Sequence, residues 1–241
     1  MYNIVLINPR LSSSRLPYNE KYAPREPLSI LAIGSFLQSF GYKIVIIDTN
    51  LYHEDEVKER LISCVTDKTI FIGFSLMTAQ VPHAMELSKY LKGIGTKTPI
   101  VWGGIHPTLF PEQTSLDPYL DLVVFGPGES TTLEIARKIV SGDLDFNKTK
   151  GIACKGKLHE PREREDINTF SHFDYDLLDL KYYLGPSPHY LLSEGPIIAL
   201  NLLSSRGCPW RCSFCINYAI KNQWRALTPD RFLDELEYQK N

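Results

Sequence analysis

The sequence predicts an α/β protein whose first part is a doubly wound domain built on a five-stranded parallel sheet. Five short apolar runs, most of them followed by a helical pattern, occur before residue 142. Strands that alternate with helices favour a parallel sheet covered by helices on both faces. A second observation is a group of three closely spaced cysteines that lies outside this alternation. The cysteines indicate a separate region with metal chemistry.

Each predicted strand is a short run rich in β-branched and aromatic residues. The five runs are Asn3–Ile7, Lys43–Asp48, Thr69–Ser75, Pro99–Gly104 and Leu122–Phe125. Each run gives way to Gly, Pro, Asn, Ser or Thr, the residues that favour loops and turns.

The segments between the strands carry the start and stop signals of helices. Pro27 begins the first helix and Gly41 follows its end, as proline and glycine commonly do. Apolar residues surround most of the axis of this helix, so we expect it to be well buried. The predicted helices are Pro27–Phe40, Glu54–Val65, Pro82–Lys92, a short one after Pro107, and Glu129–Val140.

Ligands of a doubly wound sheet bind outside the carboxyl ends of its strands. Small and polar residues dominate these ends in the segments Asn8–Arg10, Asp48–Asn50, Ser75–Thr78, Gly103–Pro107 and Gly126–Glu129. Small residues let the backbone approach a large flat ligand. Tight strand-to-helix turns require the same residues, so composition alone leaves both interpretations open.

The three cysteines follow the pattern C-x3-C-x2-C at Cys208, Cys212 and Cys215. The apolar run Ile197–Leu203 before them predicts a buried strand that leads into the cysteine loop. Three thiolates suit an iron-sulfur cluster or a zinc ion, both of which normally take four protein ligands. A 4Fe-4S cluster held here would keep one iron open for a cofactor or substrate. A structural zinc site with a distant histidine is the alternative, and coincidental spacing is a third.

The balance of charge and the cysteine usage exclude several classes of protein. The chain has 26 Lys and Arg against 28 Asp and Glu, which leaves no basic footprint for nucleic acid. No apolar run approaches the roughly 20 residues that span a bilayer, and the first residues lack the pattern of a signal peptide. Five cysteines, three of them clustered, favour a reducing compartment, so we expect a cytoplasmic protein.

The cysteine spacing, the aromatic Phe214 before the last cysteine and the Gly207–Pro209 entry resemble the signature of the radical S-adenosylmethionine (SAM) enzymes. In that family the open iron of a 4Fe-4S cluster binds SAM, and an electron from the cluster cleaves SAM to a 5′-deoxyadenosyl radical. The resemblance implies that Cys208, Cys212 and Cys215 hold the cluster and that Phe214 lies near the cofactors. It also implies an electron donor such as a flavodoxin or ferredoxin.

The order of GFS-LMT, WGGIHPT and VVFGPGES ahead of the cysteines resembles the cobalamin-binding domain found in many radical SAM enzymes. The implied residues that line the corrin or its nucleotide tail are Ser75, Met77, Thr78, Gly103, Gly104, His106, Gly126 and Glu129. Other cobalamin proteins supply a cobalt ligand from D-x-H-x-x-G. None of the six histidines here has that context, so we expect cobalamin to bind without a histidine ligand.

The resemblance also implies a division into domains. Residues 1–142 would form the Rossmann-like cobalamin-binding domain, 143–195 a linker, and 196–241 the first βα unit of a radical SAM TIM-type barrel. Within the linker we predict a hairpin at 152–157, and in the last part a helix from Thr228 to about Gln239. A complete barrel needs on the order of 150 more residues, so we expect the chain to be the front portion of a longer enzyme.

Together these features predict a cobalamin-dependent radical SAM enzyme, with methyl transfer as the reaction that the resemblance favours. Two alternatives stay open: a radical SAM enzyme that rearranges or cyclises its substrate, and a cobalamin-binding module or inactive fragment. The sequence identifies no catalytic residue. It does not name the substrate, which we expect to be a small molecule or a peptide.

Overall fold

The computed structural model of the chain describes residues 3–11, 24–184, 200–220 and 223–240. The strands are β1 (Asn3–Asn8), β2 (Lys43–Asp48), β3 (Thr69–Ser75), β4 (Ile100–Gly103), β5 (Leu122–Val124), β6 (Ile152–Cys154), β7 (Lys157–Leu158), β8 (Ser205–Arg206) and β9 (Arg225–Ala226). The helices are α1 (Leu28–Ser39), α2 (Glu54–Cys64), α3 (Val81–Gly93), α4 (Ile105–Leu109), α5 (Pro111–Thr114), α6 (Glu129–Ser141), α7 (Ile216–Ala219) and α8 (Pro229–Lys240).

The first seven strands form one sheet in the order β2-β1-β3-β4-β5-β6-β7. Strands β1 to β5 are parallel, which confirms the predicted α/β fold with five parallel strands. The antiparallel hairpin β6–β7 extends the sheet beyond β5. Because β1 lies between β2 and β3, the strand order reverses there, and ligands of such folds bind at this kind of switch point.

Helices cover both faces of the sheet. On one face α1 and α6 bury Leu37, Ile135 and other apolar side chains against the strands. On the opposite face α2 and α3 bury Leu61, Leu87 and their neighbours. Each fully buried aliphatic side chain contributes roughly 1.5–3 kcal/mol. The sheet and its helices therefore form a well-packed platform for the loops at the strand ends.

Helix α8 docks on the segment before residue 174 through the buried carboxylate of Glu235. This carboxylate pairs with His172 Nδ1 at 2.9 Å and accepts a hydrogen bond from the Phe173 amide at 3.0 Å. Arg231, one helical turn earlier, lies 3.1 Å from the same carboxylate. The helix predicted from Thr228 to about Gln239 is present as α8.

The strand predicted over Ile197–Leu203 is wrong in the part that the structure describes. Residues 197–199 lie outside the described residues, and 200–203 adopt no regular strand. The strand β8 begins at Ser205, two residues after the end of the predicted strand, and pairs antiparallel with β9. A barrel strand would need parallel neighbours, and the described residues provide β8 with only this antiparallel one.

Across the described ranges, no helix combines the length and the apolar character that crossing a bilayer requires.

Candidate functional site

A cavity of about 460 Å³ opens at the carboxyl ends of β3, β4 and β5. Helices α1 and α6 form two of its walls, and the loops after the three strands form its mouth. Its floor consists of sheet residues, which are Leu6, Phe71, Gly73, Val101 and Val124. An apolar floor with a few polar groups near the mouth is typical of small-molecule sites.

Five of the eight residues predicted to line a corrin or its tail do line this cavity: Ser75, Gly103, Gly104, Gly126 and Glu129. The other three, Met77, Thr78 and His106, lie on the same edge of the sheet but outside the cavity lining. Thr78 Oγ1 is 3.2 Å from His106 Nδ1, and the Met77 side chain is exposed.

Gly104 fixes the mouth of the cavity. Its φ angle is +98°, and a Cβ atom placed there would lie 2.6 Å from the amide nitrogen of Leu76. The two loops are close because the Leu76 amide donates to Gly103 O at 3.0 Å and the His106 amide donates to Leu76 O at 3.1 Å. Glycine is the residue that tolerates both this backbone angle and this approach, so close backbone contacts form the mouth.

The cavity contains one buried charge, the carboxylate of Glu129. This side chain is only 3% exposed and pairs with the guanidinium of Arg206. Glu129 also lies at the first position of α6, where the helix dipole favours a negative charge. Arg206 belongs to β8, immediately before the cysteine loop, so the wall of the cavity includes the segment that leads to the cysteines.

His106 occupies a partly buried position beside the cavity mouth. Its ring lies 5.4 Å from the ring of Phe110, measured between centroids. Burial lowers the pKa of His106 below its ordinary value, which favours the neutral imidazole at pH 7. The ring is directed toward Thr78 and Phe110, and His106 is not part of the cavity lining.

The cysteine loop is open to solvent. Cys212 is exposed, whereas Cys208 and Cys215 are partly buried, and the Phe214 side chain is 92% exposed. Among the described residues no three His, Cys, Asp or Glu side chains are grouped closely enough to bind a metal ion. The three thiols suit an iron-sulfur cluster by their chemistry, but this loop does not bring the sulfur atoms together.

The ends of β1 and β2 carry a buried polar network. Asp48 is 3% exposed and accepts hydrogen bonds from Asn8 Nδ2 at 3.0 Å and from the Tyr183 hydroxyl at 2.8 Å. Burial raises the pKa of Asp48 and that of Tyr183. Tyr183, which follows the sheet domain, thus covers Asp48, and both residues also line a second cavity of about 390 Å³.

Sequence reasoning missed two parts of the cavity. The α1 wall, with Leu28, Ser29 and Ile33, was predicted as a buried helix without any indication that one face would line a site. Arg206 was also missed as a site residue. Its position directly before Gly207 and Cys208 was the available signal, because a cation there lies next to three thiolates.

Comparison with known proteins agrees with this geometry. The B12-binding domain family matches residues 23–136. The chain is 27% identical over 97% of its length to the anaerobic magnesium-protoporphyrin IX monomethyl ester cyclase of Synechocystis sp.. It is 27% identical over 92% of its length to the hopanoid C-3 methylase of Methylococcus capsulatus. It spans 46% and 42% of these two proteins.

A solved structure shares the fold. The cobalamin-dependent SAM radical enzyme OxsB, with aqua-cobalamin and SAM bound, superposes with a TM-score of 0.73 at 23% identity, over 98% of this chain and 31% of OxsB. The family match covers α1 through most of α6, which includes the mouth and two walls of the cavity. The chain is thus similar to the B12-binding domain family over residues 23–136 and, over nearly its whole length, to a cyclase, a methylase and a cobalamin-dependent SAM radical enzyme.

Proposed function

We propose that this protein is a cobalamin-dependent radical SAM methyltransferase. In this proposal the cavity between α1, α6 and the sheet holds the nucleotide tail of cobalamin. Cys208, Cys212 and Cys215 hold a 4Fe-4S cluster. The observation that carries the proposal is the preformed cavity at the ends of β3 to β5, whose mouth includes Gly104 and whose wall includes Arg206.

The size and chemistry of the cavity favour the tail over the whole corrinoid. About 460 Å³ is within the range of sites for drug-sized groups, and a complete corrinoid is larger than such a group. The apolar floor suits an aromatic base. Near the mouth, Ser75 Oγ lies 3.1 Å from Ser29 Oγ, and these hydroxyls offer hydrogen bonds to the sugar or phosphate. The corrin ring would then cover the mouth, beside Met77 and His106.

The binding test compares two cyanide-capped corrinoids that differ in the nucleotide tail. Cyanocobalamin carries the tail and dicyanocobinamide lacks it. We expect this protein to bind cyanocobalamin at least tenfold more tightly in equilibrium dialysis, since a buried aromatic group contributes more than the 1.4 kcal/mol that a factor of about ten requires. Equal affinities would contradict placement of the tail in the cavity.

The chain's own residues would position the cofactors. Bound cobalamin would supply a carrier for a methyl group, and a cluster with SAM would supply methyl groups and radicals. The glycine loops would set the depth of the corrin, and β8 would place the cysteine loop next to it. We propose a flavodoxin or ferredoxin as the electron donor, and a small molecule or peptide as substrate.

A second candidate function is cyclisation, and one observation favours it. The cyclase relative matches 97% of the chain at the same identity as the methylase relative. The discriminating experiment supplies anaerobically reconstituted protein with SAM labelled in its methyl group, cobalamin and a reductant. Label on the corrinoid or on a product supports methyl transfer. Formation of 5′-deoxyadenosine without transferred label supports the cyclase alternative, and the absence of both supports a binding module.

A further inference from the structure

We propose that Arg206 is a positioning residue that couples occupancy of the corrinoid cavity to the placement of the cysteine loop, through its ion pair with Glu129. The inference rests on the proposed corrinoid function of the cavity. It adds a physical connection between the cavity and the cysteine loop.

The first step of the argument is the electrostatic requirement of Glu129. Its carboxylate is 3% exposed, and a buried charge without a partner is strongly destabilising. Its counter-charge, Arg206, comes from 77 positions later in the chain. The negative charge of Glu129 at the start of α6 is therefore neutralised by a residue that lies two positions before Cys208.

The second step is that Arg206 has little freedom to leave this position. Its guanidinium carbon lies 5.4 Å from the centroid of the Phe170 ring, and its backbone pairs with that of Arg225 in the β8–β9 ribbon. Burial lowers the pKa of Arg225, and the neighbouring positive charges of Arg206 and Arg164 lower it further. Glu129 and Asp166 oppose this lowering, so loss of the Glu129 charge would leave the repulsion between Arg206 and Arg225 less compensated and should displace the ribbon.

The third step connects the pair to the cavity. Glu129, Arg206 and Gly207 all line it, so a ligand in the cavity covers the ion pair and excludes water from it. Exclusion of water strengthens the attraction between opposite charges. A filled cavity should therefore hold β8 and the cysteine loop more firmly than an empty one. By linkage, an ordered cysteine loop should strengthen corrinoid binding by the same factor.

The chain offers a matched control on the same segment. Asn201 Nδ2 donates to Glu26 Oε2 at 2.6 Å, which anchors the approach to β8 at the residues before α1. Neither Asn201 nor Glu26 lines the cavity. Glu26→Gln therefore weakens an anchor of this segment without touching the pair that faces the ligand.

The test is hydrogen–deuterium exchange of backbone amides in peptides covering residues 204–216, with and without saturating cyanocobalamin. In the parent protein we expect the ligand to slow exchange about fivefold or more, the low end of measured coupling between sites. In Arg206→Gln and Glu129→Gln we expect nearly equal exchange with and without ligand. Glu26→Gln should keep the protection, and Arg206→Lys, which keeps the charge but loses the planar fork, should restore part of it.

Each outcome decides between the two proposals. If the parent binds cyanocobalamin but its cysteine loop shows no protection, or if Glu26→Gln loses the protection as fully as Arg206→Gln, the coupling is refuted and the corrinoid function stands. If the parent does not bind cyanocobalamin, both fall. Should Arg206→Gln fail to fold by circular dichroism, Glu129→Gln carries the same test, because it removes the charge from the other side.

Discussion

The cavity and the cysteine loop are the two parts of the candidate site, and they differ in how far the fold alone forms them. The cavity is bounded by fully buried strands and by loops in backbone contact, such as Leu76 with Gly103 and His106. The cysteine loop follows a two-residue strand and leaves Cys212 and Phe214 in solvent. Packing and backbone hydrogen bonds therefore shape the first part, while within the described residues the second has few internal contacts to fix it.

The difference has a thermodynamic meaning. A preformed cavity pays little conformational entropy when a ligand enters, whereas an open loop must be ordered by what it binds. In metal sites the binding free energy commonly supplies this ordering. We therefore expect substitutions in the cysteine loop to change metal content with little effect on folding. Substitutions at the cavity mouth should change both folding and corrinoid binding.

The largest effect is expected for Cys212→Ala. After anaerobic reconstitution with iron and sulfide, this variant should lose nearly all bound iron and acid-labile sulfide, because a cluster with only two cysteine ligands is poorly held. Its free energy of unfolding before reconstitution should change by less than about 0.5 kcal/mol, as is usual for exposed positions. Metal analysis and chemical denaturation measure the two quantities.

Cys154→Ala is the control for this experiment. Cys154 lies in β6, where its thiol donates to Asp121 O at 3.5 Å, remote in sequence from the loop. After the same reconstitution, Cys154→Ala should bind as much iron and sulfide as the parent protein. Stoichiometric zinc without sulfide in the parent would instead favour the structural-zinc alternative.

The next effect is expected at the cavity mouth, for Gly104→Ala. The new methyl group would meet the backbone of Leu76 at 2.6 to 2.8 Å, where no side chain can move aside. We expect a loss of about 2–4 kcal/mol in the free energy of unfolding and at least a tenfold loss of cyanocobalamin affinity. Gly95→Ala is the matched control, because Gly95 also has a positive φ but open space around it. Gly95→Ala should lower the free energy of unfolding by only about 1–2 kcal/mol and leave the affinity for cyanocobalamin unchanged.

The same contrast explains what the sequence could predict. The strands and long helices follow from hydrophobic periodicity and end signals, and the helix Glu129–Val140 was placed within one residue of α6. Glycine at the strand ends was compatible with a ligand site or with tight turns, and the resemblance to cobalamin-binding domains pointed to Gly103, Gly104 and Gly126, which line the cavity. The α1 wall and the Glu129–Arg206 pair could not be predicted, because both depend on contacts between distant parts of the chain. The strand before the cysteines was misplaced because an apolar run does not specify its pairing partner.

A smaller effect concerns pH and the buried polar contacts of His83 with the segment after β1. His83 is 5% exposed; its Nδ1 accepts a hydrogen bond from the Arg10 amide at 3.1 Å, and its Nε2 lies 3.2 Å from Glu54 Oε2. Burial, and next the charge of Arg10, lower the pKa of His83, although Glu54 and Glu86 oppose this.

The sign of the pH effect follows from that direction. Between the lowered folded pKa and the ordinary value near 6.5, the unfolded chain binds more protons than the folded one, so the free energy of unfolding falls as pH falls through this window. His83→Gln lacks the titrating group and should show a shallower decrease from pH 7 to pH 5 in urea denaturation. An equally steep decrease in the variant would assign the pH dependence to other groups.

The smallest effect is expected for His106→Ala, and it tests how cobalt is held at the preformed cavity. The His106 ring lies beside Thr78 and Phe110, with Nδ1 3.2 Å from Thr78 Oγ1, and the residue is outside the cavity lining. A histidine ligand would have to present its remaining ring nitrogen to the cobalt, and here the ring lies beside Phe110 at the edge of the mouth, outside the cavity lining. We expect electron paramagnetic resonance of the cobalt(II) form to show no nitrogen superhyperfine splitting in the parent and the same spectrum in His106→Ala. Splitting in the parent that disappears in the variant would assign His106 as a cobalt ligand. It would also show that the loop after β4 rearranges when cobalamin binds.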